Sequence, residues 1–192
     1  MYRAVVIGGS VAGLMAAKAI APYFEEVILL EKDTLNDENG LHKGVGQGAH
    51  AHVLLPSGLE LLKQLLDLPL LDLEAYGVVP ADTAGELKWF QFGVWKTRFH
   101  SGIDMGWCYR SLFEWRVRQA VLSVGNIRIE SPARVTGLLM SSSGHHVAGV
   151  CYKIPGRENA DITHKLTAEL FSSRCVRYAG LEGSVYLCGT AL

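Results

Sequence analysis

The sequence predicts an α/β fold built around a parallel sheet, and three adjoining features predict it. A β-branched apolar run, Ala4 to Ile7, opens directly into Gly8-Gly9-Ser10-Val11-Ala12-Gly13. A stretch of strong helix formers, Gly13 to Ile20, follows and stops near Pro22. A second apolar run, Val27 to Leu30, then ends in Glu31. Strands buried on both faces read as continuous apolar runs, so the three pieces form a β-α-β unit of about thirty residues.

Each position in that unit has a physical task. Gly8 makes the tight turn, amides near Ser10 and Val11 face an anion, and the dipole of the following helix favours a pyrophosphate. Gly13 lets the helix pack closely on the strand, and Ala17 does the same one turn later. Glu31 lies 23 residues after Gly8, where a carboxylate accepts both ribose hydroxyls and repels a 2′-phosphate. The unit therefore points to the adenosine end of a dinucleotide. Ser10 departs from the G-x-G-x-x-G pattern: its Cβ narrows the approach to the pyrophosphate while its hydroxyl can donate to it. The plainer alternative is a strand-to-helix turn with Ser10 as the helix cap.

Composition bounds the rest. The 192 residues suffice for one good core with a small attached layer. A net charge of -1, with scattered Lys and Arg, leaves no footprint for nucleic acid. No secretory leader and no run of transmembrane length is readable, which predicts a cytoplasmic protein. Cys108, Cys151, Cys175 and Cys188 lack a C-x-x-C spacing and read as reduced thiols in or near the core, with no metal site.

Along the chain, Lys32 to Gly40 is polar and turn-rich, a surface loop. Gly44 to Leu54 alternates glycines and then histidines, so an extended backbone can approach a flat ligand with His50 and His52 on one face. The two histidines have no third partner at metal-ligand spacing. Pro56 to Leu66 is an amphipathic helix whose leucines face the core, and Leu70 to Tyr76 a short helical or irregular piece. Trp89, Phe90, Phe92, Trp95 and Phe99 either plug the core of an edge sheet or line a pocket for an apolar ligand. Ser111 to Leu122 reads as a helix with Ser111 as cap, Glu114 completing a capping box, and Arg116 and Arg118 solvated. Asn126 to Glu130 is a further strand of the main sheet. Arg134 to Met140 and His146 to Lys153 form a hairpin, Thr163 to Phe171 is weakly helical, and Val185 to Cys188 is a last buried strand.

These segments together resemble the N-terminal part of FAD-dependent oxidoreductases of the aromatic-hydroxylase-like class, closest to bacterial monooxygenases and epoxidases with a Gly-Gly-Ser-x-Ala-Gly loop. The resemblance rests on VVIGGSVAGLMAA, VILLEKD, GVGQGAHAHVLL, WFQFGVWKTRF, CYRSLFEWRVRQAVL and VTGL, and it covers roughly residues 2 to 152. It implies a Rossmann-like, FAD-binding three-layer fold with a partial, mostly antiparallel substrate-side sheet. Residues 1–84 and 109–153 then belong to the FAD-binding domain, 85–108 to the substrate side, and 154–192 to an atypical tail.

Carried over position by position, Gly8, Gly9, Ser10, Val11, Ala12 and Gly13 hold the pyrophosphate, Glu31 and Lys32 lie at the adenosine ribose, and Gln47 and Arg110 lie near the flavin. Arg110 is a multi-donor partner for phosphate or ribityl oxygens. His50, His52, Trp89, Phe92 and Trp95 fall on the substrate side, and no residue is assigned as catalytic. The implied activity is a monooxygenation, hydroxylation or epoxidation of a small apolar substrate through a flavin hydroperoxide, with NADH or NADPH as transient reductant. Departures from the family are Gly46 for a proline, Thr190 where an aspartate is usual, and the lack of an Asp-Ala-x-Gly strand after Lys153. They predict a truncated or internally deleted relative, prone to self-association through uncovered surface. A catalytically incomplete nucleotide-binding remnant is the second reading. A plain NAD-dependent dehydrogenase is the third; it fits Gly8 to Glu31 but leaves GVGQGAHAH and CYRSLFEW unexplained.

Overall fold

The computed structural model describes residues 2–35, 46, 48, 50–66, 74, 77–156 and 162–173. Strand β1 (Arg3–Ile7) leads into α1 (Val11–Ile20), a 3-10 turn over Ala21–Tyr23 that contains Pro22, and β2 (Glu26–Leu30). Then come β3 (Ala51–Leu54), α2 (Pro56–Leu66), β4 (Val78–Asp82), β5 (Phe90–Gln91), β6 (Val94–Trp95), β7 (Asp104–Tyr109) and α3 (Arg110–Leu122). The remaining strands are β8 (Ile127–Glu130), β9 (Arg134–Met140), β10 (Val147–Lys153), β11 (His164–Thr167) and β12 (Leu170–Ser173).

The main sheet has the order β12-β1-β2-β8, and every pairing in it is parallel. Alternation along its strands sends residues to opposite faces. Ala4, Val6, Val27 and Leu29 pack with Leu14 and Ala17 of α1 and Phe113, Val117 and Val121 of α3, in one core that also takes Leu59, Leu62 and Leu66 of α2. Val5, Ile28 and Leu30 face the other way, against Val150, Leu138 and Leu166 of the antiparallel sheet β11-β10-β9. Each such aliphatic side chain, fully buried, contributes about 1.5–3 kcal/mol relative to exposure. A third sheet, β3-β7-β4, is antiparallel and carries the chain into α3.

Most of the expected elements are present: the opening β-α-β unit, the Pro56–Leu66 helix, the β8 strand beside β2 and the β9-β10 hairpin. Two expectations are corrected. Thr163 to Phe171 is not helical; it is split between β11, whose Leu166 sits opposite Val150, and β12, whose Leu170 sits opposite Ala4. A strand partner for each half, β10 for β11 and β1 for β12, overrides a weak helical preference. The aromatic run from Trp89 to Phe99 does not plug a core. It forms the separate hairpin β5-β6, with Phe92 93% and Trp95 67% exposed. Phe92 and Gly93 both have positive φ, 54° and 81°, as a two-residue hairpin turn demands.

This aromatic arm is clamped at its base by Asp82. Its Oδ1 accepts the amides of Ala84 and Gly85 and the Ser101 hydroxyl, and its Oδ2 accepts the amides of Ser101 and Gly102. His100 Nδ1 stands 3.1 Å from Oδ2. The expected piece over Leu70 to Tyr76 lies almost wholly outside the described residues, as do Val185–Cys188, Thr190, Cys175 and Cys188.

Candidate functional site

The turn after β1 is built by backbone geometry. Gly8, at φ +103°, occupies a conformation that favours glycine and donates its amide to the Leu30 carbonyl at 2.9 Å. Gly13 has no room for a side chain, because a Cβ there would lie 1.8 Å from the Gly8 carbonyl oxygen. That closeness brings the N-terminus of α1 onto the end of β1, where it presents its first-turn amides and the positive end of its dipole.

Glu31 follows β2 and is 4% exposed. Its Oε2 accepts the Gly9 amide at 2.6 Å and its Oε1 accepts the Asp33 amide at 2.9 Å, so the carboxylate ties the glycine turn to the end of β2. Lys32 beside it is exposed.

Ser10 is the N-cap of α1, yet its side chain makes no capping bond. The hydroxyl lies 2.8 Å from Glu114 Oε2 and accepts Arg110 Nη2 at 3.1 Å. A carboxylate only accepts, so Ser10 donates in the first of these bonds. Arg110 opens α3 and also places Nε and Nη2 each 3.2 Å from Glu114 Oε2, with Nη1 3.5 Å from His52 Nε2. Arg118, one turn beyond Glu114, brings its Nη2 to 4.0 Å from Glu114 Oε1.

The strands set these side chains in place. His52 pairs with Cys108 across β3 and β7, and the amides of Arg110 and Ser111 reach the carbonyls of His50 and Gly48. Burial and the nearby Arg110 charge hold the His52 imidazole below its ordinary pKa, which keeps it neutral and able to accept from the guanidinium. Burial pushes the Cys108 thiol up to about 11, against a smaller opposite pull from Arg110. Cys108 is therefore a thiol at neutral pH and not a nucleophile.

Ser10, Glu31, His52 and Arg110 thus surround the glycine turn or bond to residues that do. His50 is exposed at the foot of β3, Gln47 lies outside the described residues, and Trp89, Phe92 and Trp95 stand on the aromatic arm. Two further corrections concern α3. Tyr109, not Ser111, is its N-cap and makes no side-chain cap bond, and Glu114, 1% exposed, binds Ser10 and Arg110 in place of a capping box. Arg118 is 2% exposed, not solvated. The signal for both was the spacing Arg110, Glu114, Arg118, which puts three charges on one stripe of the helix.

No protein-family model matches the chain. Among curated proteins, Protein Rv3254 of Mycobacterium tuberculosis is 27% identical over 161 residues, covering 74% of this chain and 33% of that protein. The fold is similar to that of part of PqsL, a probable FAD-dependent monooxygenase from Pseudomonas aeruginosa (TM-score 0.64, 14% identity), over 89% of this chain and 41% of that one. The myxobacterial chondrochloren halogenase CndH, a variant of FAD-dependent halogenases, aligns with a TM-score of 0.66 at 17% identity over 90% of this chain and 36% of its own. The p-nitrophenol 4-monooxygenase PnpA from Pseudomonas putida aligns with a TM-score of 0.63 at 16% identity, over 90% and 41%. The chain spans about a third of the curated relative's length and about two fifths of these structures.

Proposed function

We propose that this chain forms the FAD-binding part of a flavin-dependent oxidoreductase of the monooxygenase type, with a Rossmann-like three-layer arrangement. The observation that carries this reading is the convergence of the Gly8–Gly13 turn, Glu31 and Arg110 at one end of the parallel sheet. The likeness in fold to FAD-dependent monooxygenases and a halogenase supports the choice of FAD.

The residues present fit the adenosine and pyrophosphate end of that cofactor. The close packing of α1 on β1 at Gly13 holds that helix end at the turn, and Ser10 turns its hydroxyl away from the α1 amides it would ordinarily cap, which leaves them for an anion. Gly9 to Gly13 would hold the pyrophosphate, Glu31 the adenosine ribose with Lys32 at its rim, and Arg110 the next oxygens toward the flavin, with Gln47 beside it. Glu31 would exchange an amide partner for ribose hydroxyls. His52, neutral, gives the guanidinium a further contact on β3.

FAD, when bound, supplies electron transfer and oxygen chemistry, with NADH or NADPH as reductant and a small apolar organic molecule as substrate. The partition into FAD-binding segments at 1–84 and 109–153, with 85–108 on the substrate side, belongs to the same proposal. The aromatic arm, with His50, is then the contact surface for substrate.

The test is an absorption spectrum of the purified protein before and after reconstitution with FAD. A flavoprotein band at near-stoichiometric occupancy is expected, with NAD(P)H oxidation stimulated by an apolar substrate if the reaction is complete. A flavin band without such oxidation supports the nucleotide-binding remnant. Folded protein that takes up NAD and not FAD supports the dehydrogenase and overturns the proposal.

A further inference from the structure

We infer that Glu114 is a positioning residue for the dinucleotide site, and that serine stands at position 10 to connect the glycine turn to it. This rests on the FAD-site reading above. Ser10 and Glu114 are 104 positions apart in sequence, and the contact between them joins the N-termini of α1 and α3.

One oxygen, Glu114 Oε2, collects three donors: the Ser10 hydroxyl, Arg110 Nε and Arg110 Nη2. The consequences follow from donor and acceptor chemistry. With its proton directed to Glu114, the Ser10 oxygen has lone pairs for Arg110 Nη2 and is turned away from α1, whose first-turn amides keep no side-chain cap from it. A hydroxyl that capped those amides would compete with an incoming phosphate for them. Arg110, gripped by Nε and Nη2, is fixed along one edge of its guanidinium beside the turn. Holding a guanidinium in one orientation lowers the ordering cost of meeting an anion. Glu114 thus acts through Ser10 and Arg110, without touching the ligand.

A glycine at position 10, as in the commoner loop, could make no such link. The Ser10 hydroxyl in this arrangement couples the loop to α3 and does not donate to the phosphate.

The experiment is a double-mutant cycle on FAD affinity with Ser10→Ala, Glu114→Gln and the double variant, alongside thermal melts and with ADP as a second ligand. Each single change is expected to weaken FAD and ADP by about tenfold, the scale of one charge-assisted hydrogen bond, and the double variant no further than the weaker single. Ser10→Thr, which keeps the hydroxyl, is expected to restore affinity. If Glu114→Gln does not fold, the cycle of Ser10→Ala with Arg110→Lys carries the test, again with non-additive losses expected.

Losses that add in the cycle would mean a hydroxyl acting on the ligand by itself and would overturn the inference. So would a lowered melting temperature with unchanged affinity, the mark of a helix cap alone. Wild-type protein that is folded but binds neither FAD nor ADP would overturn the FAD-site reading itself, and the inference with it; a binding wild type with an additive cycle overturns the inference only.

Discussion

At Gly13 the fold has no space for even a methyl group. A Cβ placed 1.8 Å from the Gly8 oxygen must push α1 off β1, so Gly13→Ala is expected to cost at least the roughly 1–3 kcal/mol of an overpacked core, read as a lower urea midpoint. Glu31→Gln tests a different feature. Two backbone amides face two carboxylate oxygens, and a glutamine offers one oxygen and one NH2. One buried donor then meets another, with an expected loss of about 1–3 kcal/mol in the same titration. The glycines and Glu31 were legible in the sequence because their roles follow from local backbone geometry and from spacing along a β-α-β unit. Glu114 was not. Its spacing from Ser111 matched a capping box, and only the distant Ser10 and the neighbouring Arg110 reveal what the carboxylate binds.

At the scale of elements, the Asp82 carboxylate bridges the two sides of the aromatic arm's base, beside the bonds from Thr83 to the Ile103 carbonyl. Burial raises the Asp82 pKa, but the Gly85 amide, the Ser101 hydroxyl and the amides of Gly102 and Ser101 outweigh it and hold the group well below the usual carboxylate range. Below about pH 4 the unfolded arm therefore binds more protons than the folded one. The stabilisation from Asp82 is present above that pH and is lost as pH falls toward the lowered native value. Asp82→Asn is expected to flatten this acid limb and to expose residues 83–103 to protease at neutral pH; an unchanged acid limb and digestion pattern would contradict the clamp. Elements with a strong period were legible, as the leucines of α2 show. The β11 and β12 strands were not, because their identity comes from partners in β10 and β1 that no local pattern announces.

For the whole molecule, the parallel order β12-β1-β2-β8 places the glycine turn and Glu31 at one end of the sheet and brings α3 across α1, so residues near 10, 31, 52 and 110 share one neighbourhood. The sequence announced the first two strands of this sheet and β8, and a resemblance supplied Arg110; the contact between α1 and α3 required the fold. Trp89, Phe90, Phe92, Val94, Trp95 and Phe99 together make an exposed apolar surface of the kind that drives association. Phe92→Ser combined with Trp95→Ser is expected to reduce self-association in light scattering while leaving the melting temperature nearly unchanged; equal scattering would place the association elsewhere. No helix among the described residues is long and apolar enough to cross a membrane. The central claim is that the turn, Glu31 and Arg110 together hold the adenosine and pyrophosphate end of FAD. Its most direct test is a titration of the wild-type chain with FAD in competition with ADP. Saturable one-to-one binding of FAD, displaced by ADP and weakened at least tenfold by Arg110→Gln, is the result expected. Folded protein that binds neither ligand, or binds FAD with no competition from ADP, would contradict it.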